Sequence, residues 1–243
     1  MAAGLRLATW NIHKGIGTDR RYEIERTMGI LAGIDADVVC LQEVDEHVPR
    51  SSFHRQARMI ADALGYRHVA VGLNVQVRGG HYGNVTLSRF PFRDTHNVDL
   101  TIRPKKRRSC LVTRILGPDG RPWVVGNVHL GLLHLERAFQ MRALLRHLRD
   151  ASGEDEALII AGDTNDWGNR IGRPLERKGV LRVAREVHHR SAGPRTFPSK
   201  RPLAALDKIF LRPSIEVVAV ETVLDDQTSV ASDHLPLFAD LSA

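Results

Sequence analysis

Cysteine is scarce in this chain of 243 residues: Cys40 and Cys110 are the only two, and each sits inside an apolar, strand-like run. That placement excludes a disulfide framework and a cysteine-rich zinc centre, and predicts two buried free thiols. Aromatic residues make up only 5%, which leaves no aromatic-rich insertion for wedging into a nucleic-acid duplex. No run reaches the roughly 20 apolar residues of a membrane-spanning helix, and the N-terminal residues show no apolar leader with a small-residue cleavage site. A cytoplasmic protein is expected, with peripheral contact to a membrane left open. There is no Pro/Gly/Ser linker, repeat or low-complexity tract, so one domain over residues 1–243 is the economical organisation. Acidic residues are outnumbered, 28 against 35 Lys and Arg, giving a net charge of +7. Such an excess favours a polyanionic partner, whether nucleic acid or an anionic phospholipid surface. The densest basic run is RPKKRR at 103–108, and Arg195, Lys200 and Arg201 form a looser group.

What the chain does have is a series of six apolar runs, each closed by carboxylate, amide or imidazole side chains, at 9–13, 41–43, 127–129, 162–166, 206–208 and 232–234. Short apolar runs read as buried strands, so these polar groups are expected at strand ends on one rim of a sheet. Asn11, Glu43, Asp163, Asn165, Asp207 and Asp233 all offer oxygen, and His129 and His234 are the only nitrogens. An oxygen-rich set suits a hard cation such as Mg2+, with Mn2+ as an alternative, and such ions hold a few carboxylates, water and a substrate phosphate. The chemistry that follows is metal-assisted attack of water on a phosphate ester. Glu43 is the foremost metal-ligand candidate, because a carboxylate ending the apolar run 38–41 is costly to bury without a partner. Asp163 and Asn165 are two residues apart, so both side chains fall on one rim while Thr164 points away.

The six blocks TWNIH (9–13), LQEVD (41–45), NVHLG (127–131), GDTNDW (162–167), LDKIF (206–210) and SDHLP (232–236) resemble, in order, the signature blocks of the endonuclease/exonuclease/phosphatase superfamily, the deoxyribonuclease I-like group. The segments HYGNVTLSRFP (81–91), HLERAFQ (134–140) and RTFPSKRPLAALDKIF (195–210) look like its small bacterial branch, which is associated with phospholipid, particularly cardiolipin, metabolism. The resemblance spans essentially the whole chain. It implies an α/β (α+β) fold, a four-layer α/β/β/α sandwich of two mixed β-sheets with outer helices and the active site at one edge of both sheets.

The resemblance also implies roles. Asp163 would orient or deprotonate the attacking water, Asn165 and His129 would contact the phosphate, and Asp207 would pair with His234. A carboxylate beside an imidazole raises its pKa and fixes its tautomer, so His234 would stay cationic beside a phosphate. Asn11 matches the metal-side amide and Asp233 a metal ligand or a partner of metal-bound water, while Gln42 would support the site by hydrogen bonding. Asn84 and His81 are candidates for shaping the substrate pocket, with a plain turn role as the alternative. Thr164 departs from the bulky apolar residue common in its block.

Strand-like runs fall near 5–10, 36–41, 83–88, 110–116, 122–128, 157–161, 206–211, 216–223 and 237–241, and helical periodicity near 22–33, 53–64 and 134–149. In the last, Leu135, Ala138, Phe139, Arg142, Leu145 and Leu148 recur at steps of three and four, predicting the face that packs inward. Three functions are compatible with these features. One is a Mg2+-dependent phosphodiesterase or phosphatase acting on a phospholipid-derived or other small phosphate ester. Another is a DNA or RNA endonuclease or exonuclease with weak sequence preference. The third is a silent binding protein on the same scaffold, which the full set of acidic, amide and imidazole groups opposes.

Overall fold

A computed structural model describes residues 4–151, 153, 156–185 and 193–242. In chain order its elements are β1 (Leu5–Asn11), α1 (Ile24–Ile34), β2 (Val38–Glu46), α2 (Gln56–Leu64), β3 (His68–Val77), β4 (Gly80–Ser88), β5 (Phe92–Asp99), β6 (Ser109–Leu116), β7 (Pro122–His129), α3 (His134–Ala151), β8 (Ala157–Asp163), α4 (Gly172–Arg177), β9 (Arg182–Val183), β10 (Asp207–Leu211), β11 (Glu216–Thr222), α5 (Thr228–Ala231) and β12 (Leu237–Ser242). They form two six-stranded mixed sheets, ordered β11-β12-β1-β2-β4-β3 and β5-β6-β7-β8-β10-β9.

Three apolar clusters separate the layers. Leu7, Cys40, Trp123, Ile159, Ile209 and Ala239 belong to the cluster between the inner faces of the sheets. Trp10, Leu41 and Val85 pack with Ile24 and Leu31 of α1 and Ile60 of α2 on the outside of the first sheet. Val128, Ile160 and Phe210 pack with Met141, Leu144 and Leu148 of α3 on the outside of the second. The result is the expected layering of helix, sheet, sheet and helix. Each strand of the two central pairs is buried on both faces, which is why these runs are continuously apolar. Both cysteines are buried and free. Among the described residues no helix is long and apolar enough to cross a membrane.

Beside the short helices α4 and α5, which no periodicity announced, the structure departs from the sequence expectation in two respects. Strands β3, β5 and β9 lie at sheet edges and were not expected: β5, FRDTHNVD, is polar and mostly exposed, β9 is two residues long, and β3, HVAVGLNVQV, mixes apolar and polar residues along a half-exposed strand. The inward face of α3 is also rotated from the predicted one. Leu135 and Phe139 point outward at 70% and 58% exposure, while Arg137, Gln140, Met141, Leu144 and Leu148 face in. Two polar residues hold that face because they have backbone work to do. Gln140 accepts from the Gly131 N–H (2.8 Å) and donates to the Leu100 carbonyl (3.1 Å), and Arg137 donates to the Leu132 carbonyl.

The topology sets the rim. β1 runs parallel to β2, and β7 parallel to β8, so the C-terminal ends of each pair lie together. β10 is antiparallel to β8, and its first residue, Asp207, pairs in register with Asp163. β12 is antiparallel to β1, which brings the segment before Leu237 beside the end of β1. Gly162 makes the β7–β8 approach possible: its φ is +146°, and a Cβ there would sit 1.9 Å from the Val128 carbonyl oxygen.

Candidate active site

Asp163, at the end of β8, is the hub of the rim. It is 2% exposed. Its Oδ2 accepts from Asn11 Nδ2 at 3.1 Å and lies 3.4 Å from His129 Nε2 and 3.8 Å from His234 Nε2. Its Oδ1 accepts from the Asn165 N–H at 2.9 Å, a turn that Asn165 permits by taking φ +49°. Asn165 in turn donates its side-chain amide to the Leu130 carbonyl at 3.1 Å. The residues expected to act on water and phosphate, Asp163, Asn165, His129 and His234, are therefore assembled around one carboxylate.

His234 precedes β12 and is fastened at three points. Its Nδ1 is 2.8 Å from Asp207 Oδ2, its N–H donates to the Ser232 hydroxyl at 3.2 Å, and its carbonyl accepts from Trp10 Nε1 at 2.8 Å. The Ser232 hydroxyl donates to the Asn11 carbonyl at 2.7 Å, which ties the His234 segment to β1. Phe197 lies against the imidazole with ring centroids 4.9 Å apart.

Burial and charge oppose each other at these groups. Burial alone would depress the His234 pKa, but the charges of Asp207 and Asp163 and the Asp207 hydrogen bond lift it to about 10, so the ring is cationic at neutral pH. Burial raises Asp163 to about 6 even though His234 pulls it down. At His129 burial and then Arg108 outweigh the charge of Glu43 and push the pKa well below the usual imidazole range, so the ring is neutral. The site thus holds one cationic and one neutral imidazole against the same carboxylate.

Glu43 lies on β2 at an irregularity of the β2–β4 ladder and takes φ +57°. Its carboxylate pairs with the Lys14 ammonium. Burial disfavours its charged form, yet His129, Lys14 and Lys106 outweigh burial and hold the pKa at about 2. Because His129 is itself neutral, Lys14 and Lys106 supply that field at neutral pH. Lys106 and Arg108 bring the basic run 103–108 to the same rim.

Other sequence candidates lie apart from this cluster. Asp233 is half-buried, its Oδ1 3.4 Å from the Ser232 hydroxyl. Asn84 is buried between the sheets and donates to the Ser109 and Asn127 carbonyls at 3.2 and 3.1 Å. His81 is exposed on β4, in a surface depression lined by Glu46, His47, Gln76, Val77, Gly79 and Gly80. Among the described residues, the carboxylate and imidazole groups close enough to share an ion are Asp163, Asp207 and His234.

Several residues within the singled-out segments, to which the sequence assigned no role, support the site. Asn127 is fully buried and bridges the sheets, donating to the Leu41 and Val85 carbonyls at 3.0 and 2.9 Å and accepting from Gln42 Nε2 at 2.8 Å. Lys208 is fully buried and donates to the Asp166 and Ala205 carbonyls at 2.9 and 2.8 Å, with Asp166 Oδ2 at 3.5 Å. Asp166 accepts the Arg170 and Ile171 N–H groups, which shapes the loop after Asp163. A lysine inside the apolar run LDKIFL is a legible sign of a buried, partnered cation; nothing in the sequence around Lys14 marks its partner.

Comparison with known proteins bears on the family and the fold. The model of the endonuclease/exonuclease/phosphatase family matches residues 8–234. An uncharacterized Escherichia coli K12 protein, YbhP, is 32% identical over 97% of this chain and 95% of its own length. A crystal structure of an endonuclease/exonuclease/phosphatase from Beutenbergia cavernae superposes with a TM-score of 0.83 at 28% identity, covering 99% of this chain and 72% of that one. A mannosyl-6-phosphatase from Bacteroides thetaiotaomicron shares the fold, with a TM-score of 0.74 at 18% identity over 98% of this chain and all of its own. With all six motif blocks inside or overlapping the matched span, this chain belongs to the endonuclease/exonuclease/phosphatase family.

Proposed function

We propose that this protein is a Mg2+-dependent phosphoesterase, able to use Mn2+, that cleaves a phosphate ester by directed attack of water. The observation that carries this reading is the convergence of His129 and His234 on the buried Asp163 carboxylate, at 3.4 and 3.8 Å. A carboxylate with its pKa near 6 is a base suited to neutral pH, and Asp163 takes the proton of the attacking water. His234, kept cationic by Asp207, stabilises the charge that builds on the phosphoryl oxygens, and neutral His129 and Asn165 position the phosphate.

The donor set fits a hard cation. Glu43 stays ionised and already has an ammonium ion against it, so a cation is at home there; Asn11 and Asp233 add further oxygens. When bound, the ion polarises a phosphoryl oxygen as a Lewis acid. Coordination at Asp163, Asp207 and His234 instead would require His234 to give up its Nε2 proton, which a pKa of about 10 opposes.

The surroundings favour a phosphate ester presented at an anionic lipid surface. Leu132, Leu133, Leu135 and Phe139, 55% to 71% exposed, follow directly on His129, and Gln140 ties their loop to Leu100, at the base of the basic run 103–108. Apolar side chains beside basic ones suit such a surface. The basic run also supports the second reading, a nuclease with weak sequence preference. Mg2+-dependent hydrolysis by wild type and Asp163→Ala on supercoiled DNA, bis-p-nitrophenyl phosphate and mixed phospholipid vesicles separates these. Turnover of the diester or lipid that vanishes in the variant supports the proposal; nicking without lipid or diester turnover supports the nuclease. Activity that survives in Asp163→Ala overturns both.

A further inference from the structure

The strand β1 ends in a turn of unusual backbone. His13, Lys14 and Gly15 take φ values of +46°, +65° and +72° in succession. Left-handed backbone costs an L-residue free energy, and it persists only where the surroundings hold it. They do so here from three sides. Asn11 Oδ1 accepts the His13 N–H at 3.1 Å, His13 Nδ1 meets the Ile16 carbonyl at 2.9 Å, and Gln56 of α2 donates to the Lys14 carbonyl at 2.7 Å. Gln56 is fully buried and its other amide atom accepts the Asp45 N–H at 2.7 Å. One side chain thus fastens the Lys14 backbone to the strand that carries Glu43. Across that fastening the Lys14 ammonium meets the Glu43 carboxylate, with side chains only 15% and 11% exposed. Glu43 is also a non-glycine residue at positive φ, so two strained residues are aimed at each other.

We propose that Lys14 is a positioning residue of the active site: an internal cation that occupies Glu43 while the site lacks its divalent ion and competes with that ion for the carboxylate. The inference rests on the reading of Glu43 as a metal ligand. Lysine suits the part because its ammonium is a point charge on a flexible stem, able to swing away while its clamped backbone stays fixed. The consequence is a raised threshold: the site fills only where the divalent ion is plentiful, and Glu43 is never left as an uncompensated buried charge.

Calorimetric titration of the metal-free, full-length protein with Mn2+ tests this, using wild type, Lys14→Met, Lys14→Gln, Lys14→Arg and Glu43→Gln, each checked for folding by circular dichroism. Removing a contacting positive charge should tighten Mn2+ binding at least about tenfold in Lys14→Met and Lys14→Gln, whereas Lys14→Arg should stay close to wild type. A simple structural tether would give the reverse, with unchanged or weaker binding in the neutral variants. If Glu43→Gln loses Mn2+ while the neutral Lys14 variants match wild type, the metal assignment of Glu43 stands and the role of Lys14 falls. If Glu43→Gln binds Mn2+ like wild type, both fall.

Discussion

Replacing Asp207 by Asn removes one charge from the buried pair with His234 and leaves its shape almost intact. In the Asp207→Asn variant the new amide carbonyl still accepts the Nδ1–H that Asp207 Oδ2 holds at 2.8 Å. What is lost is the charge that, with Asp163 behind it, lifts His234 to about 10 against the opposing effect of burial. A group whose folded pKa lies above its unfolded value stabilises the fold fully below the unfolded value, here 6.5, and loses that contribution as pH rises through the folded one. Between these end points the linkage amounts to about 4 kcal/mol at pH 7, about 2 kcal/mol at pH 8.5 and almost nothing at pH 10.5. Asp163 supplies part of the lift, and the substitution also relieves a buried carboxylate whose Oδ1 has no hydrogen-bond partner among the described residues. The expected loss is therefore about half, roughly 2 kcal/mol at pH 7, or a Tm lower by about 4 to 8 °C. Urea unfolding of both proteins at pH 7, 8.5 and 10.5, with chelator present, measures the difference; a histidine NMR titration locates the His234 pKa. The gap should close as pH rises, and the variant's ring should titrate about 1.5 pH units lower, near 8.5; at pH 9.5 it is then largely neutral while the wild-type ring is still largely cationic, and the variant's activity there should fall further below wild type than it does at pH 7. A gap independent of pH, or a His234 pKa that stays near 10 in the variant, would refute the reasoning.

Other substitutions separate chemistry from scaffold. Chelation should abolish hydrolysis and Mg2+ or Mn2+ restore it, while Glu43→Gln should raise the metal concentration for half-maximal rate by at least about tenfold without lowering the Tm enough to unfold the protein. Asn127→Ala removes the donor that the Leu41 and Val85 carbonyls share between the sheets, at about 1 to 3 kcal/mol for each unmet group, while Gln42 keeps Thr9 and the Cys40 carbonyl as acceptors; a Tm drop under about 3 °C would show that the bridge contributes little. Lys208→Met leaves Asp166 as a buried charge without its cation, which costs about 3 to 5 kcal/mol, and adding Asp166→Asn should recover part of that in a double-mutant cycle.

The polar groups that the structure gathers on the rim were legible because each closes a run of buried apolar residues, and a polar group in that position has few structural reasons to be there. Central strands and the positions of α1 and α2 were legible for the same reason, since their pattern reflects burial on known faces. The edge strand β5 was not, because it is solvated and polar, whereas β11, also at an edge, keeps an apolar run and was expected. The face of α3 was misleading because Leu135 and Phe139 obey helical spacing yet face outward, while Arg137 and Gln140 turn in to hold loop carbonyls.

The sequence by itself determined which oxygen and nitrogen groups end buried strands, and through six ordered blocks it determined the family. Only the tertiary structure decided how those groups pair. Asn11 reaches Asp163 across 152 positions of chain, and the structure gives His234 the Asp207 carboxylate while leaving His129 neutral. It also sets Lys14 against Glu43. Charge state depends on distances measured through space and on burial, and these are fixed by strand register and by the packing of one sheet on another. A one-dimensional pattern of apolar and polar residues carries the faces but not those distances.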